Sequence, residues 1–243
     1  MQSTLGQFQE TESAESFNLQ NSKLLKVELN QVTIQAKLGS MVAYQGDVTF
    51  EHAGSGGMGR MLKKAISGEG TQLMKMTGTG EVFLADQAQD IHLIKLENDF
   101  ITCNGANVLA FDAGIDWDIK KVEGGVAAAM AGGLTNMSLQ GTGWVALISN
   151  GPPVLLDVGT APTFADAQAA ITWSSGVQTQ VKVDANLKTL IGRGSGETVQ
   201  VAFSGQGWVL VQPSEGVVKA AAQPGAGGGG GAAGGLGGLL GQR

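Results

Sequence analysis

Three Gly-x-Gly pairs, Gly78/Gly80, Gly141/Gly143 and Gly205/Gly207, recur at spacings of 63 and 64 residues, each followed by an apolar run. Self-similarity at a fixed period marks repeated supersecondary units. Glycine at the same place in each copy marks a turn in which the chain takes a positive φ. A second shared element precedes each pair: Val48-Thr49-Phe50, Ile115-Asp116-Trp117 and Ile171-Thr172-Trp173. Trp144 and Trp208 occupy the same position after the second and third pairs, so all four tryptophans fall at repeat-equivalent places. The pattern predicts three copies of one β-unit, over residues 24–87, 88–150 and 151–212, each using an aromatic as a core plug. It matches Trp117 to Trp173 and Trp144 to Trp208.

Alternation with period two supports strands throughout. Val32, Ile34, Ala36 and Leu38 alternate with Thr33, Gln35 and Lys37, and Val199, Val201 and Phe203 with Gln200, Ala202 and Ser204. One buried face produces this pattern because successive strand side chains point to opposite sides. Glycine and asparagine clusters punctuate the runs at the intervals of all-β folds. A short helix is expected in the first unit at residues 60–66 (RMLKKAI), and residues 126–130 carry a fainter helical pattern. Residues 124–156 hold no charge, but their Gly, Ser, Thr, Asn and Pro content reads as turns and strands and not as a membrane span. Residues 1–23 form a polar N-terminal segment. Residues 213–243, which contain twelve of the 39 glycines, form a flexible Gly/Ala-rich tail.

The net charge of −6 argues against DNA binding, which needs clustered cations to neutralise phosphates. The single cysteine, Cys103, permits no intramolecular disulfide, so the fold does not call for an oxidising compartment. The polar, acidic N-terminus lacks the basic start and apolar run of a secretory signal. A cytoplasmic location is expected, with peripheral membrane contact as an extension.

The segments LGSMVAYQGDVTFEH (38–52), SGEG (67–70), TGTGEVFLA (77–85) and GSGETVQVAFSGQGWVLVQ (194–212) resemble the altered-inheritance-of-mitochondria family of bacterial proteins with a mitochondrial relative. The resemblance covers roughly residues 24–212. It implies a fold similar to the tryptophan RNA-binding attenuator protein, a short form of the double-stranded β-helix, and homo-oligomers, specifically trimers. It implies no activity, substrate or cofactor. Ala131 stands where the family pattern has glycine, and the Gly/Ala tail is a further departure.

The residues that carry chemistry are sparse. His52 and His92 lie forty residues apart and form no His-x-His pair, so no metal site is expected. Cys103 sits in the β-type run FITCN and reads as a small core side chain. Asp112, Asp116 and Asp118 cluster, but a solvated strand face backed by Trp117 explains Asp116 and Asp118 better than an acid pair does. The loop GSGGMGRMLKK (54–64) has the glycine spacing of a phosphate loop at Gly54 and Gly59. Arg60 replaces its lysine and Met61 its hydroxyl residue, so nucleotide hydrolysis is not expected. Arg60, Lys63 and Lys64 remain as a candidate contact for an anionic surface or partner. The sequence therefore predicts a protein that is not an enzyme and binds no cofactor. It reads as an oligomeric scaffold or binding protein, partnered by itself and by an anionic membrane surface or another protein. A small-ligand or RNA-binding module is the alternative by fold analogy.

Overall fold

The computed structural model describes residues 3–52, 72–121, 135–183 and 199–214. The fold is all-β, as the alternation predicts. The strands are β1 (Phe17–Asn21), β2 (Leu24–Lys37), β3 (Met41–His52), β4 (Leu73–Leu84), β5 (Asp90–Asn104), β6 (Val108–Asp112), β7 (Asp116–Lys121), β8 (Thr135–Ser149), β9 (Val154–Asp157), β10 (Thr163–Asp166), β11 (Ala170–Ser174), β12 (Val177–Val183), β13 (Val199–Gly205) and β14 (Trp208–Val211). Short 3-10 turns occupy Leu5–Phe8 and Gly105–Asn107. The expected helix at 60–66 and the fainter one at 126–130 lie outside the described residues.

The larger sheet runs β3-β4-β2-β6-β8-β5-β11-β14-β9, with β1 added to β2 and β7 to β8; β10-β13-β12 form a second sheet. All pairings are antiparallel. The glycine-bearing segments β4, β8 and β13–β14 each carry neighbours on both sides. On one side the pairing slips by one residue at a recurring place: between Met41 and Ala43 opposite Leu84 and Phe83, between Val108 and Ala110 opposite Leu147 and Ala146, and between Ala170 and Thr172 opposite Val211 and Leu210. Leu84, Leu147 and Val211 are 63 and 64 residues apart, the spacing of the glycine pairs. On the other side, β2 and β5 bulge at Gln31 (φ 57°) and Asn98 (φ 55°), opposite Thr79/Gly78 and Thr142/Gly141. In the third segment no long strand bridges the corresponding place. β9 pairs with β14 and β10 with β13, and the break between them lets the second sheet diverge.

Gly78 and Gly80 have φ values of 146° and 148°, in a region that essentially only glycine occupies. A Cβ on either would collide with the backbone carbonyl of Asp47 or Gln45 on β3. Gly78 and Gly80 therefore permit close backbone approach within a continuous strand, where the sequence predicts turns.

Two junctions tie the successive segments into one sheet. β2 meets β6 through Ile34↔Asp112, Gln35↔Phe111 and Ala36↔Ala110. β5 meets β11 through Ile101↔Ser174, Thr102↔Trp173 and Cys103↔Thr172. The core follows the junctions. Leu25, Val27, Ile34 and Met76 pack with Leu109, Ala146 and Ile148, and Phe111, Leu139 and Val145 pack with Leu73 and Ile171. Burying a side chain of this size contributes about 1.5–3 kcal/mol, so each segment depends on its neighbour for part of its core.

Register corrects the tryptophan matching. Trp117 lies opposite Leu139, as Phe50 lies opposite Met76. Trp173 instead lies opposite Val209, and the residue so placed in the second segment is Phe111, opposite Val145. Trp173 lies on β11, which pairs as β6 does, whereas Trp117 lies on β7, so the shared tripeptide falls on different strands of the two segments. Nor are all the tryptophans core plugs: Trp173 is buried against Phe203, whereas Trp117, Trp144 and Trp208 are half-buried. The alternation on β2 also bends, for Gln35 is buried and accepts the Trp117 indole N–H at 3.1 Å, while Val32 and Leu38 are exposed. The N-terminal segment is not separate from the sheet, since β1 pairs with β2 and Phe17 lies in the core.

Gly80→Ala is expected to lower stability to chemical denaturation by about 2 kcal/mol or more, since strained backbone and a backbone collision add. Gly114→Ala, where a Cβ meets no atom within 4 Å, is expected to change it by less than about 0.5 kcal/mol.

Candidate functional site

Arg60, Lys63 and Lys64, the anion or partner contact expected from the sequence, lie outside the described residues, in the connection between β3 and β4. Several of the described cations are engaged in structure. Lys26 is nearly buried on β2 and pairs with Glu81 of β4 at 2.6 Å and with Glu10 of the N-terminal segment at 3.2 Å. The Glu81 hydrogen bond, joined by Glu10, holds its ammonium pKa above the ordinary value against the opposing effect of burial. Lys26 also donates to the Thr11 carbonyl at 3.3 Å, and Gln45 donates to Glu10 at 2.6 Å, so the N-terminal segment is fastened across β2 and β3. Lys95 lies 5.1 Å from the Trp144 ring centroid, and Glu15 accepts from both Lys95 and the Trp144 indole.

The histidines do not converge. His52 ends β3 opposite Met74, whereas His92 lies on β5 opposite Leu147, with β4, β2, β6 and β8 between their strands. The His92 Nε2 is 2.7 Å from the Ser149 hydroxyl, and burial lowers its pKa, partly countered by Asp90. Asp112 accepts the Trp144 backbone N–H at 2.6 Å, and burial raises its pKa, partly countered by that hydrogen bond. The Ser174 hydroxyl accepts the Trp208 N–H at 3.0 Å in the corresponding register, so Asp112 holds strands together. Asp116 and Asp118 are exposed on β7, and the Asp118 carboxylate accepts the Ile119 N–H at 3.0 Å. No group of three or more metal-ligating side chains occurs among the described residues. Cys103 is buried and donates to the Thr172 hydroxyl at 3.3 Å, and burial pushes its thiol to about 12.

Two surfaces that the sequence reading missed stand out. The first is a cleft of about 460 Å³ over the second sheet, formed by the 158–162 turn, Phe164, Gln180, Lys182 and Ala202. The Lys182 ammonium lies 4.6 Å from the Phe164 ring centroid. The second is β3 itself, the edge of the large sheet, which exposes Val42, Tyr44 and Phe50, with Tyr44 and Phe50 edge-to-face at 5.2 Å. Tyr44 and Phe164 signal in the sequence only as aromatics inside strands, and alternation does not reveal that their strands end a sheet.

The sequence model of the family described as Mitochondrial biogenesis AIM24 matches residues 17–214, most of the chain and all of its strands. The chain belongs to this family. A Streptococcus pyogenes protein of known crystal structure has a similar fold, with a TM-score of 0.66 at 20% identity over 81% of this chain and 91% of that one. At that identity the likeness concerns the fold alone. No curated protein matches the sequence. Among the described residues of this AIM24-family chain, no helix is long and apolar enough to cross a membrane.

The buried, unionised thiol leads to an expected outcome: Cys103 stays unlabelled by a soluble thiol reagent in the native protein and reacts fully in guanidinium, because only the exposed thiolate attacks.

Proposed function

We propose that this AIM24-family chain is a non-catalytic, oligomeric scaffold that presents a binding surface to a membrane or to partner proteins. The observation that carries the reading is the β3 edge, which no strand covers among the described residues. Edge strands of monomeric proteins are ordinarily blunted by charge, proline, short length or a covering element. β3 is twelve residues long, and its Met41–Gln45 stretch carries no charged residue and no proline, with Val42 and Tyr44 exposed. Such an edge is suited to burial against another subunit. A trimer is the stoichiometry implied by the resemblance to the attenuator-protein fold. The same resemblance favours three tandem copies of a short double-stranded β-helix unit. The recurring slips opposite Leu84, Leu147 and Val211 support that finer architecture.

A role in membrane or mitochondrial organisation is supported by the family description and by the basic trio Arg60, Lys63 and Lys64. Each cation near an anionic surface contributes about 1 kcal/mol, so three would give reversible, salt-sensitive contact. The cleft at Phe164 and Lys182 favours a second reading, binding of a small flat anion or an RNA base by stacking and charge. The net charge of −6 weighs against a long polyanion.

Light scattering of the full chain at micromolar concentration tests the reading. A mass that is a multiple of 24.8 kDa, three chains for the trimer, is expected; a single-chain mass that persists on concentration refutes the oligomer. Flotation with vesicles should require anionic lipid, fade with salt and be lost when Arg60, Lys63 and Lys64 are all changed to Ala. Binding unaffected by those changes removes the trio from the site.

A further inference from the structure

The large sheet is built by one junction used twice, and its two halves are left over once each. In the first junction β2 presents Ile34, Gln35 and Ala36 to Asp112, Phe111 and Ala110 of β6. In the second, β5 presents Ile101, Thr102 and Cys103 to Ser174, Trp173 and Thr172 of β11. Pairing with the glycine-bearing strands identifies the corresponding residues elsewhere. Ile34 lies opposite Met76 and Ile101 opposite Leu139; Thr163 of β10 lies opposite Phe203, at the same distance from its glycine pair. Thr163, Phe164 and Ala165 therefore form an unused copy of the first half. On the other side, Phe111 lies opposite Val145 and Trp173 opposite Val209; Tyr44 of β3 lies opposite Val82, again in the same place. Ala43, Tyr44 and Gln45 form an unused copy of the second half. Both copies are at free sheet edges among the described residues, since β3 ends the large sheet and β10 ends the small one.

Exposure agrees with this. At the formed junctions three of the four central residues are covered, Gln35 at 6% exposed, Phe111 at 0% and Trp173 at 6%, and Thr102 is half-buried. At the unused halves the corresponding aromatics stand in solvent, Tyr44 at 48% and Phe164 at 47%.

We infer that copies of this chain join head to tail, β10 of one copy pairing antiparallel with β3 of the next in the register of the internal junctions. Thr163, Phe164 and Ala165 then face Gln45, Tyr44 and Ala43 of the second copy. This rests on the oligomeric reading above and names the surface that would serve it. The contact adds backbone hydrogen bonds along both edges and brings Phe164 and Tyr44 together as a cross-strand aromatic pair. It is heterologous, so each copy offers one edge of each kind, and the assembly closes as a ring when the rotation per copy allows. It also covers Phe164, one wall of the cleft.

The test uses the full chain with Tyr44→Cys and Phe164→Cys combined. Directly opposed residues of an antiparallel pair have Cα atoms about 4.5–5.5 Å apart, within disulfide range, and the buried Cys103 does not compete. Mild oxidation is expected to give covalent multiples of the 24.8 kDa chain on a non-reducing denaturing gel, reversed by reductant, with neither single variant giving any. Multiples from Tyr44→Cys alone would mean that like edges pair, and a bond closing within one chain would mean that the edges meet in the same copy; either overturns the inference. As an independent measurement, Tyr44→Arg at this exposed position should keep the circular dichroism spectrum and reduce the scattering mass to one chain, and an undiminished mass overturns the inference. A wild-type chain that scatters as a monomer overturns both this inference and the oligomeric reading. A wild-type oligomer in which the double variant forms no interchain bond overturns the edge pairing alone.

Discussion

Where β3 passes Gly78 and Gly80, the carbonyl oxygens of Asp47 and Gln45 occupy the space in which any other residue would hold its Cβ. Much of the architecture depends on that contact. It lets β4 hold β3 on one side and β2 on the other through the bend, so long strands continue where shorter ones would otherwise break apart. The second glycine pair does similar work with different atoms. A Cβ on Gly143 would fall 2.7 Å from the Asp112 carboxylate, the group that accepts the Trp144 N–H. The third pair lies where β13 ends and β14 begins, and there the sheet splits in two.

Polar groups in this framework serve mostly to close it. Asp112 and Ser174 each take the backbone N–H that follows a glycine pair, satisfying a donor that the local geometry withdraws from the ladder. Lys26 draws carboxylates from two directions and so fastens the N-terminal segment over the sheet. Its partner Glu10 is exposed, and the Lys26 hydrogen bond lowers the Glu10 pKa. That part of the attachment is present above the ordinary carboxylate range and is lost as acid protonates Glu10. Lys26, Glu10, Lys95 and Asp112 thus have structural employment.

Segments joined by repeating one junction leave one half of it unused on β3, which ends the large sheet, and the other on β10, which ends the small one. Within the chain, the aromatic half of the junction is covered twice, at Phe111 and Trp173, and uncovered once, at Tyr44. The low charge of the chain, 15% of residues, leaves few groups to defend such ends. Low charge suits a surface that is buried in an assembly. Membership in the AIM24 family places the fold among related chains, and the exposed edges supply the physical motive for proposing association.

The sequence by itself determined the all-β class, because period-two alternation and regularly spaced glycines are local properties of the chain. It also determined the spacing of the recurring segments, since the glycine pairs at 78/80, 141/143 and 205/207 keep one place in each and appear unaltered in the sequence. What it could not determine was register. The strands that precede the glycines recur at other spacings than the glycines do, Tyr44, Phe111 and Trp173 being 67 and 62 residues apart, so Trp173 looked equivalent to Trp117 when its pairing makes it equivalent to Phe111. Burial followed the same rule. Gln35 is covered and Val32 exposed because neighbouring strands decide which face of β2 meets solvent, against the alternation in the chain. Tyr44 and Phe164 read in sequence as ordinary strand aromatics. Only the tertiary structure, by deciding which strands have a neighbour on both sides, left those two at open edges.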